Sequence, residues 1–369
     1  MDIHFIFDAQ DLKSTVSTLN TANIPFKLVK KPNGVHVFIA KNEECETLVE
    51  RYCKMWVPCS GCDSCSGTKS KKAIKYVLYP PMILFPTGTQ LTDELKNQAQ
   101  ELLAETKTNG CTHAAINAPI QASDIIRKPQ IVPVIGDFGE FYDYDVSIGS
   151  EEMQRSFWAT SLQNQIFQTW APMYTMFSRG NITEKKRVLT QFNQQSTIEN
   201  STVIDLYAGI GYFTLPYAKQ RPKQVYCWEI NPWSVEGLAR AAKKNGFRVQ
   251  VVQTTEKYTN KYSKDEPQTT LVVFMEDNIK ARTRIDSLDL ERVSHINMGL
   301  LPHAREAFET ARALSTPGTV FHVHENVRKV ELSQWKKEVG SYFGECLHLE
   351  EIKDYSPGVK HVCGDFKRN

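Results

Sequence analysis

Val203 to Ala218 read VIDLYAGIGYFTLPYA. An apolar run ends in an acid, Asp205, and passes through two glycines, Gly209 and Gly211. Apolar residues then resume at helical spacing. The pattern predicts a strand, a tight turn and the start of a helix. In an open α/β sheet the ligand crevice lies outside the carboxyl ends of the strands. Glycine at such a turn lets the backbone approach a ligand with no Cβ between them. The run lacks the third glycine of the dinucleotide fingerprint and the Gly-Lys-Ser/Thr of a phosphate loop. An acid at the strand end would repel a pyrophosphate and suits a ligand with a positive centre.

The next segment outward, QVYCWEI (Gln224 to Ile230), reads as a second strand with Glu229 near its end. An acid there can accept hydrogen bonds from both ribose hydroxyls. Asn231 and Pro232 follow, and Ser234 to Asn245 reads as a helix closed by Gly246. Strand, glycine turn, helix, strand, acid and helix make one nucleotide-binding half. A lone Gly-x-Gly is more often an ordinary turn; Asp205 before it and Glu229 after it decide for a nucleotide cofactor. S-adenosylmethionine, a nucleoside carrying a sulfonium cation, is the cofactor expected.

The 369 residues predict two or three domains, and 41% hydrophobic with 23% charged residues describes an ordinary globular chain. No apolar run reaches the roughly 18 residues of a membrane span, so no membrane partner is expected. The start, MDIHFIFDAQ, has no basic region ahead of an apolar one, and nine cysteines then point to free thiols in a reducing, cytoplasmic compartment. Basic residues nearly balance acidic ones, 44 against 42. The basic clusters at Lys69, Lys71, Lys72 and Lys75, at Lys185, Lys186 and Arg187, and at Lys243 and Lys244 read as solvated faces.

Residues 1–95 read as a small α/β domain, with strands at Ile3–Phe7 and Gly34–Ile39 and helices at Asp11–Asn20 and Asn42–Lys54. Cys53, Cys59, Cys62 and Cys65 have a spacing that could share a tetrahedral metal, but their Ser/Gly-rich surroundings read as a free loop and no metal is expected. Residues 96–178 read as a linking region. The helix over 91–109, capped by Thr92, leads into it, and Pro119, Pro129 and Pro133 then punctuate short extended pieces. Residues 179–369 read as the catalytic domain. Just before the cofactor strand, Phe177 ends a strand-like run, Ser178 to Asn181 reads as a turn and Thr183 to Leu189 starts a helix. Arg179, Asn181, Glu184 and Lys185 gather polar groups around that turn. Thr254 to Arg292 is polar apart from Leu271–Met275 and reads as an insertion. HINMGLLP (His295 to Pro302) reads as a fourth strand ending at Asn297. Val320–Glu325 reads as a buried strand with His322 and His324 on one face, in core or rim positions. Cys346 to Phe366 reads as a closing hairpin around Ser356-Pro357-Gly358.

Taken in order, DLYAGIGYFT, WEINP, FSRGNITEKKR, NMGLLP and KDYSPGVKHVCGDF resemble the eukaryotic tRNA wybutosine-synthesising protein 2 group. That group is related to the tRNA guanine-N1 methyltransferases. The resemblance runs from about Ala115 to the C-terminus. It implies an α/β fold: a class I, Rossmann-like S-adenosylmethionine-dependent transferase domain with a smaller N-terminal α/β domain. It also implies transfer of the cofactor's 3-amino-3-carboxypropyl group to 4-demethylwyosine, the tricyclic base beside the anticodon of phenylalanine tRNA, with methylthioadenosine released. The sulfonium activates all three attached carbons, and the one presented to the nucleophile reacts. The guanine-N1 enzymes carry Asn-Leu-Pro where this chain has Asn297-Met298-Gly299-Leu300-Leu301-Pro302, which resembles the aminocarboxypropyl group.

The resemblance implies roles residue by residue. Asp205 with the Gly209/Gly211 turn would line the methionine and ribose part, and Glu229 would bind the ribose hydroxyls. Ser178, Arg179, Asn181, Lys185 and Asn231 would surround the cofactor or the acceptor base. Glu184 matches an acid that abstracts a proton in the methylating relatives, and Asn297 would sit at the base pocket. The family's Gly-Asp-Asn-Arg pattern after the third strand is missing from VVQTTEKY (Val251 to Tyr258), so Gln253 or Thr254 is expected at the adenine edge. The implied partner is the anticodon loop of phenylalanine tRNA, bound by a monomer, with affinity that falls as salt rises. Trp170, Tyr174 and Phe177 could stack unpaired bases, though core packing is the preferred reading. The competing readings are a tRNA guanine-N1 methyltransferase and a tRNA-binding protein with a degraded cofactor pocket.

Overall fold

The computed structural model describes residues 2–7, 26–31, 34–40, 74–105, 110–118, 129–142, 149–191, 198–262 and 268–368. Backbone contacts divide the chain into Met1–Ala73 and Ile74–Asn369. In the first unit β1 (Asp2–Phe7), β2 (Phe26–Lys31) and β3 (Gly34–Ala40) form an antiparallel sheet in the order β1-β3-β2. The helices expected over 11–20 and 42–54, and Cys53, Cys59, Cys62 and Cys65, lie outside the described residues.

The second unit opens with a four-stranded sheet, β4 (Val77–Tyr79), β5 (Met82–Phe85), β6 (His113–Ile116) and β7 (Val132–Ile135), in that order. Helix α1 (Asp93–Ala104) packs Leu95 and Ala99 into a core with Ile83, Phe85 and Ala114. Thr92 caps it as expected, its hydroxyl accepting the Leu95 N–H at 3.1 Å. A short helix α2 (Ser150–Arg155) precedes the hairpin β8 (Ala159–Gln163) and β9 (Ile166–Trp170). The strand expected to run on to Phe177 ends at Trp170. Pro172 cannot donate to a ladder, and the chain turns with Tyr174 N–H on the Ala171 carbonyl at 2.9 Å.

The main sheet has eight strands in the order β12-β13-β11-β10-β14-β15-β17-β16. They are β10 (Thr202–Asp205), β11 (Gln224–Glu229), β12 (Arg248–Gln253), β13 (Thr270–Met275), β14 (Val293–Met298), β15 (Val320–Arg328), β16 (Glu345–Ser356) and β17 (Val359–Lys367). The first six in that order are parallel; β17 and β16 close the sheet antiparallel, as the hairpin reading expects. Helices α3 (Ile182–Gln191), α4 (Thr214–Ala218), α5 (Pro232–Lys244), α6 (Phe308–Leu314) and α7 (Leu332–Phe343) accompany it. This is the Rossmann-like α/β class expected. Helix α5 starts with Pro232 in its first turn and with the Asn231 side chain accepting the Trp233 N–H at 3.0 Å. Its Gly237 is needed for packing, since a Cβ there would lie 2.7 Å from the Thr169 carbonyl oxygen. Among the described residues no helix is long and apolar enough to cross a membrane.

The sheet corrects one expectation. Leu271–Met275 is not part of an insertion but the middle of β13, hydrogen-bonded between β12 and β11. Leu271, Val272, Val273 and Phe274 are all fully buried. A short unbroken apolar run is the signature of a strand covered on both faces. HINMGLLP therefore opens on the fifth strand of the run beginning at β10, and that strand extends to Met298.

Candidate functional site

The chain moves outward from β10 to β11 on one side and returns to β14 on the other. This is the topological switch point at which such sheets bind ligands. A cavity of about 680 Å³ lies there, across the carboxyl ends of β10, β11, β13 and β14. Its size falls within the range of small-molecule sites.

Glu229 ends β11 in the wall of this cavity. Its carboxylate accepts the Gly209 N–H and the Asn231 N–H, both at 2.8 Å. Burial pushes the carboxyl up, while these two amides pull it back. Gly209 takes φ +54, so the turn between β10 and α4 can present its amide to Glu229. Ser178, Asn181 and Asn231 also line the cavity, and the side-chain oxygen of Asn181 has no hydrogen-bond partner. Gly211 takes φ +89 behind the wall, where a Cβ would lie 2.6 Å from Leu238.

Asp205 and Asn297 are register partners on β10 and β14, each 1% exposed. The Asp205 carboxylate accepts the Asn297 Nδ2 hydrogen at 2.9 Å and the Thr214 hydroxyl at 2.7 Å. Burial pushes its carboxyl up against these bonds. Neither side chain is among the residues lining the cavity: Asp205 braces Asn297 from behind the wall, and Asn297 Oδ1 is left without a partner.

Three of the expected residues point elsewhere. Arg179 is exposed and lies near the Tyr79 hydroxyl, where its charge partly offsets the upward push of burial on the phenol. Lys185 is buried under the β8–β9 hairpin, donating to Gln163 Oε1 at 3.0 Å and Gln168 Oε1 at 2.7 Å. Its ammonium also faces the rings of Tyr212 and Phe177 at 4.9 and 5.3 Å. Glu184, 1% exposed, is clamped by Arg187 through contacts of 2.6 and 2.8 Å. Arg187 reaches on to Asp365 of β17 at 2.6 Å, and Asp365 to His322 at 2.7 Å. His322 meets His295 at 2.8 Å. The face of β15 read as core or rim therefore carries a buried polar network.

Burial pushes the Lys185 ammonium down to about 7. The unfolded side chain keeps a value near 10.4. Between these values the unfolded chain binds more protons, so this group makes stability rise with pH. The parent protein should gain about 2 kcal/mol from it between pH 7 and pH 9. Lys185→Met should abolish that gain, as read by denaturant unfolding at the two pH values; an unchanged slope would refute it.

Tyr174 and Trp170 are core residues, as preferred: the Tyr174 ring stacks on Trp233 at 3.7 Å, and Trp170 stacks on Phe177 at 4.2 Å. The site also contains residues that the motif reading missed. Because β13 and not β12 pairs with β11, the residues beyond the third strand are Glu276, Asp277 and Asn278. All three line the cavity, whereas Gln253 and Thr254 do not. Asn278 Nδ2 donates to the Leu206 carbonyl at 2.9 Å, and Glu276 is paired with Arg284. Asp277 is left exposed at the rim. The Glu-Asp-Asn that follows Leu271–Met275 was the available signal. His324, His361 and Lys353 complete the far wall.

The TRM5/TYW2 methyltransferase domain model matches residues 171–286. The tRNA wybutosine-synthesizing protein 2 of Schizosaccharomyces pombe is 38% identical over 314 residues, covering 79% of this chain and 72% of the relative. Its counterpart in Saccharomyces cerevisiae is 33% identical over 353 residues, covering 79% and 73%. The chain belongs to the tRNA wybutosine-synthesizing protein 2 family. A Methanocaldococcus jannaschii relative, named tRNA(Phe) (4-demethylwyosine(37)-C(7)) aminocarboxypropyltransferase, is 30% identical over 201 residues, covering 52% of this chain and 68% of the relative. The solved Pyrococcus horikoshii TYW2 in complex with MeSAdo shares the fold at a TM-score of 0.53 and 20% identity, covering 79% of this chain and 90% of that one.

Proposed function

We propose that this family member transfers the 3-amino-3-carboxypropyl group of S-adenosylmethionine to carbon 7 of 4-demethylwyosine at position 37 of phenylalanine tRNA, as the name of the archaeal relative describes for that protein. The observation that carries the cofactor reading is Glu229, set between two backbone amides at the end of β11 inside a cavity of ligand size. The residues present fit the group. Glu229 retains lone pairs for ribose hydroxyls, Asp277 offers an acceptor for an adenine amine, and the buried indole N–H of Trp228 in the wall has no partner. When bound, S-adenosylmethionine supplies an electrophilic γ-carbon whose bond to sulfur breaks with its electron pair on sulfur.

In this reading Glu229 and Asn231 hold the ribose end, and the Gly209 turn lets it approach. Asp205 acts from behind the cavity wall, fixing the Asn297 amide beneath Gly299, which lines it. Ser178 and Asn181 face the amino-acid chain or the acceptor base. Arg179 and Lys185 act from outside the cavity, Lys185 by holding the β8–β9 hairpin against α3. Family membership favours the aminocarboxypropyl group over the methyl group as the one transferred.

The test is a reaction with S-adenosylmethionine and hypomodified phenylalanine tRNA, its small product read by mass spectrometry. Methylthioadenosine is expected. S-adenosylhomocysteine would mean methyl transfer, and neither product would favour a non-catalytic tRNA-binding protein.

A further inference from the structure

The sheet order lays the cavity out in space. Glu229 on β11 and His361 on β17 are separated by β10, β14 and β15, or about 19 Å at ordinary strand spacing. The Glu229 end and the histidine end are therefore opposite ends of one cleft. His361 is 4% exposed and lines that far end. Its Nε2 lies 3.1 Å from His324 Nδ1, and its Nδ1 has no hydrogen-bond partner. The His324 ring is held against Phe213 at 4.8 Å. A ring nitrogen of His324, a Glu184 carboxylate oxygen and the Cys363 sulfur lie within 4.8 Å of one another.

Burial pushes both imidazoles down to about 3, helped at His324 by His322 and Arg187 and at His361 by His324 and Lys353, so both are neutral. Two neutral imidazoles carry one N–H each, and here one of those hydrogens occupies the bond between the rings. If His361 Nε2 donates it, His361 Nδ1 is a bare lone pair and the outer nitrogen of His324 carries the other hydrogen. A proton taken up at Nδ1 can then be matched by a proton passed from Nε2 to His324 and released on the Glu184 side. The pair moves a proton without retaining a charge. The inner carboxylate favours this tautomer, because a bare nitrogen facing Glu184 would be repelled.

We infer that His361 Nδ1 accepts the proton lost by the acceptor carbon, and that His324 relays it toward Glu184. This rests on the aminocarboxypropyl reading. Carbon 7 gains a bond to the γ-carbon and must lose its hydrogen as H⁺, returning the C–H electron pair to the ring. The proton goes to His361 Nδ1, and no other reactant is needed. The relay also gives Glu184 a part in proton removal, although it does not line the cavity.

His361→Gln tests this. The glutamine amide can keep a polar contact with His324 near the former Nε2 and offers nothing at Nδ1. Single-turnover transfer should fall about 100-fold, with S-adenosylmethionine affinity by calorimetry and tRNA affinity unchanged. Deuterium at carbon 7 should leave the parent rate unaltered and slow the variant, because proton removal then limits the reaction; a purely structural role would not create this isotope effect. In the ligand-free parent, ¹⁵N-histidine NMR should show a neutral His361 ring with an unprotonated Nδ1 at pH 7. A variant as fast as the parent, a slow variant without the isotope effect, or a protonated Nδ1 overturns the relay alone. A parent that releases no methylthioadenosine overturns the activity itself, and the relay with it.

Discussion

Glu229→Gln should lower S-adenosylmethionine affinity about 100-fold, or about 2.7 kcal/mol, without unfolding the domain. The carboxylate accepts two backbone amides, from Gly209 and Asn231, and those bonds hold the glycine turn and the start of α5 at a common distance from the cavity. A glutamine side chain has one acceptor and one donor group. Its NH₂ would face one of the two N–H groups with a second donor, displacing the turn. It would also remove the negative charge that strengthens a ribose hydrogen bond. The variant should keep its unfolding midpoint within a small margin, because Glu229 is partly open to the cavity and the freed amide can be hydrated. Calorimetric titration of both proteins decides it. An affinity within threefold of the parent would remove Glu229 from the cofactor site.

Arg187→Met should destabilise the protein by about 3–5 kcal/mol, because it strands two carboxylates in the interior. Arg187 bridges Glu184 on α3 to Asp365 on β17, with all three side chains at most 5% exposed. Burial pushes the Asp365 carboxyl up, but His322 and Arg187 more than offset this and hold it below the usual carboxylate range. A carboxyl depressed in the folded state contributes stability that is present above its unfolded value near 3.9 and lost as pH falls through the lower folded value. The parent should therefore keep this contribution at pH 5. In Arg187→Met burial raises the Asp365 carboxyl with less to oppose it, so this acid-sensitive contribution shrinks and the variant's deficit against the parent should narrow as pH falls. Denaturant unfolding at pH 7 and pH 5 reads both effects. Arg187→Lys should not restore the parent, since an ammonium cannot make the forked contacts to two carboxylates. A loss below about 1 kcal/mol would mean that the network contributes little.

The two predictions concern residues that differ in how visible they are from the sequence. Glu229 was legible because an apolar strand, a terminal acid and a capped helix follow one another without a break. The helix read from Ser234 begins two residues earlier, at Pro232, with Asn231 as its cap. Arg187 was read only as one of a basic cluster on a solvated face. Its spacing to Glu184 permits an ion pair on a helix, but Asp365 lies 178 residues away and is brought to it by the sheet.

Sequence alone determined the local elements: the β10 turn and its glycines, the second strand with its acid, the caps of α1 and α5, and the C-terminal hairpin. These follow from side-chain period, backbone conformational limits and hydrogen-bonding groups within a few residues of one another. The ordered motifs identified the family as well. Tertiary structure decided which strands are neighbours, and with that which residues meet. The same six-residue strand length describes β12 and β13, but only β13 pairs with β11, so it is Asp277 and not Gln253 or Thr254 that reaches the cavity. Glu184 and Lys185 are adjacent in sequence, yet one enters the Arg187 network and the other closes under a hairpin. His324 and His361 meet only because β15 and β17 are antiparallel partners. Pairing of distant strands is selected by burial over the whole sheet, a long-range sum that no local window of sequence contains.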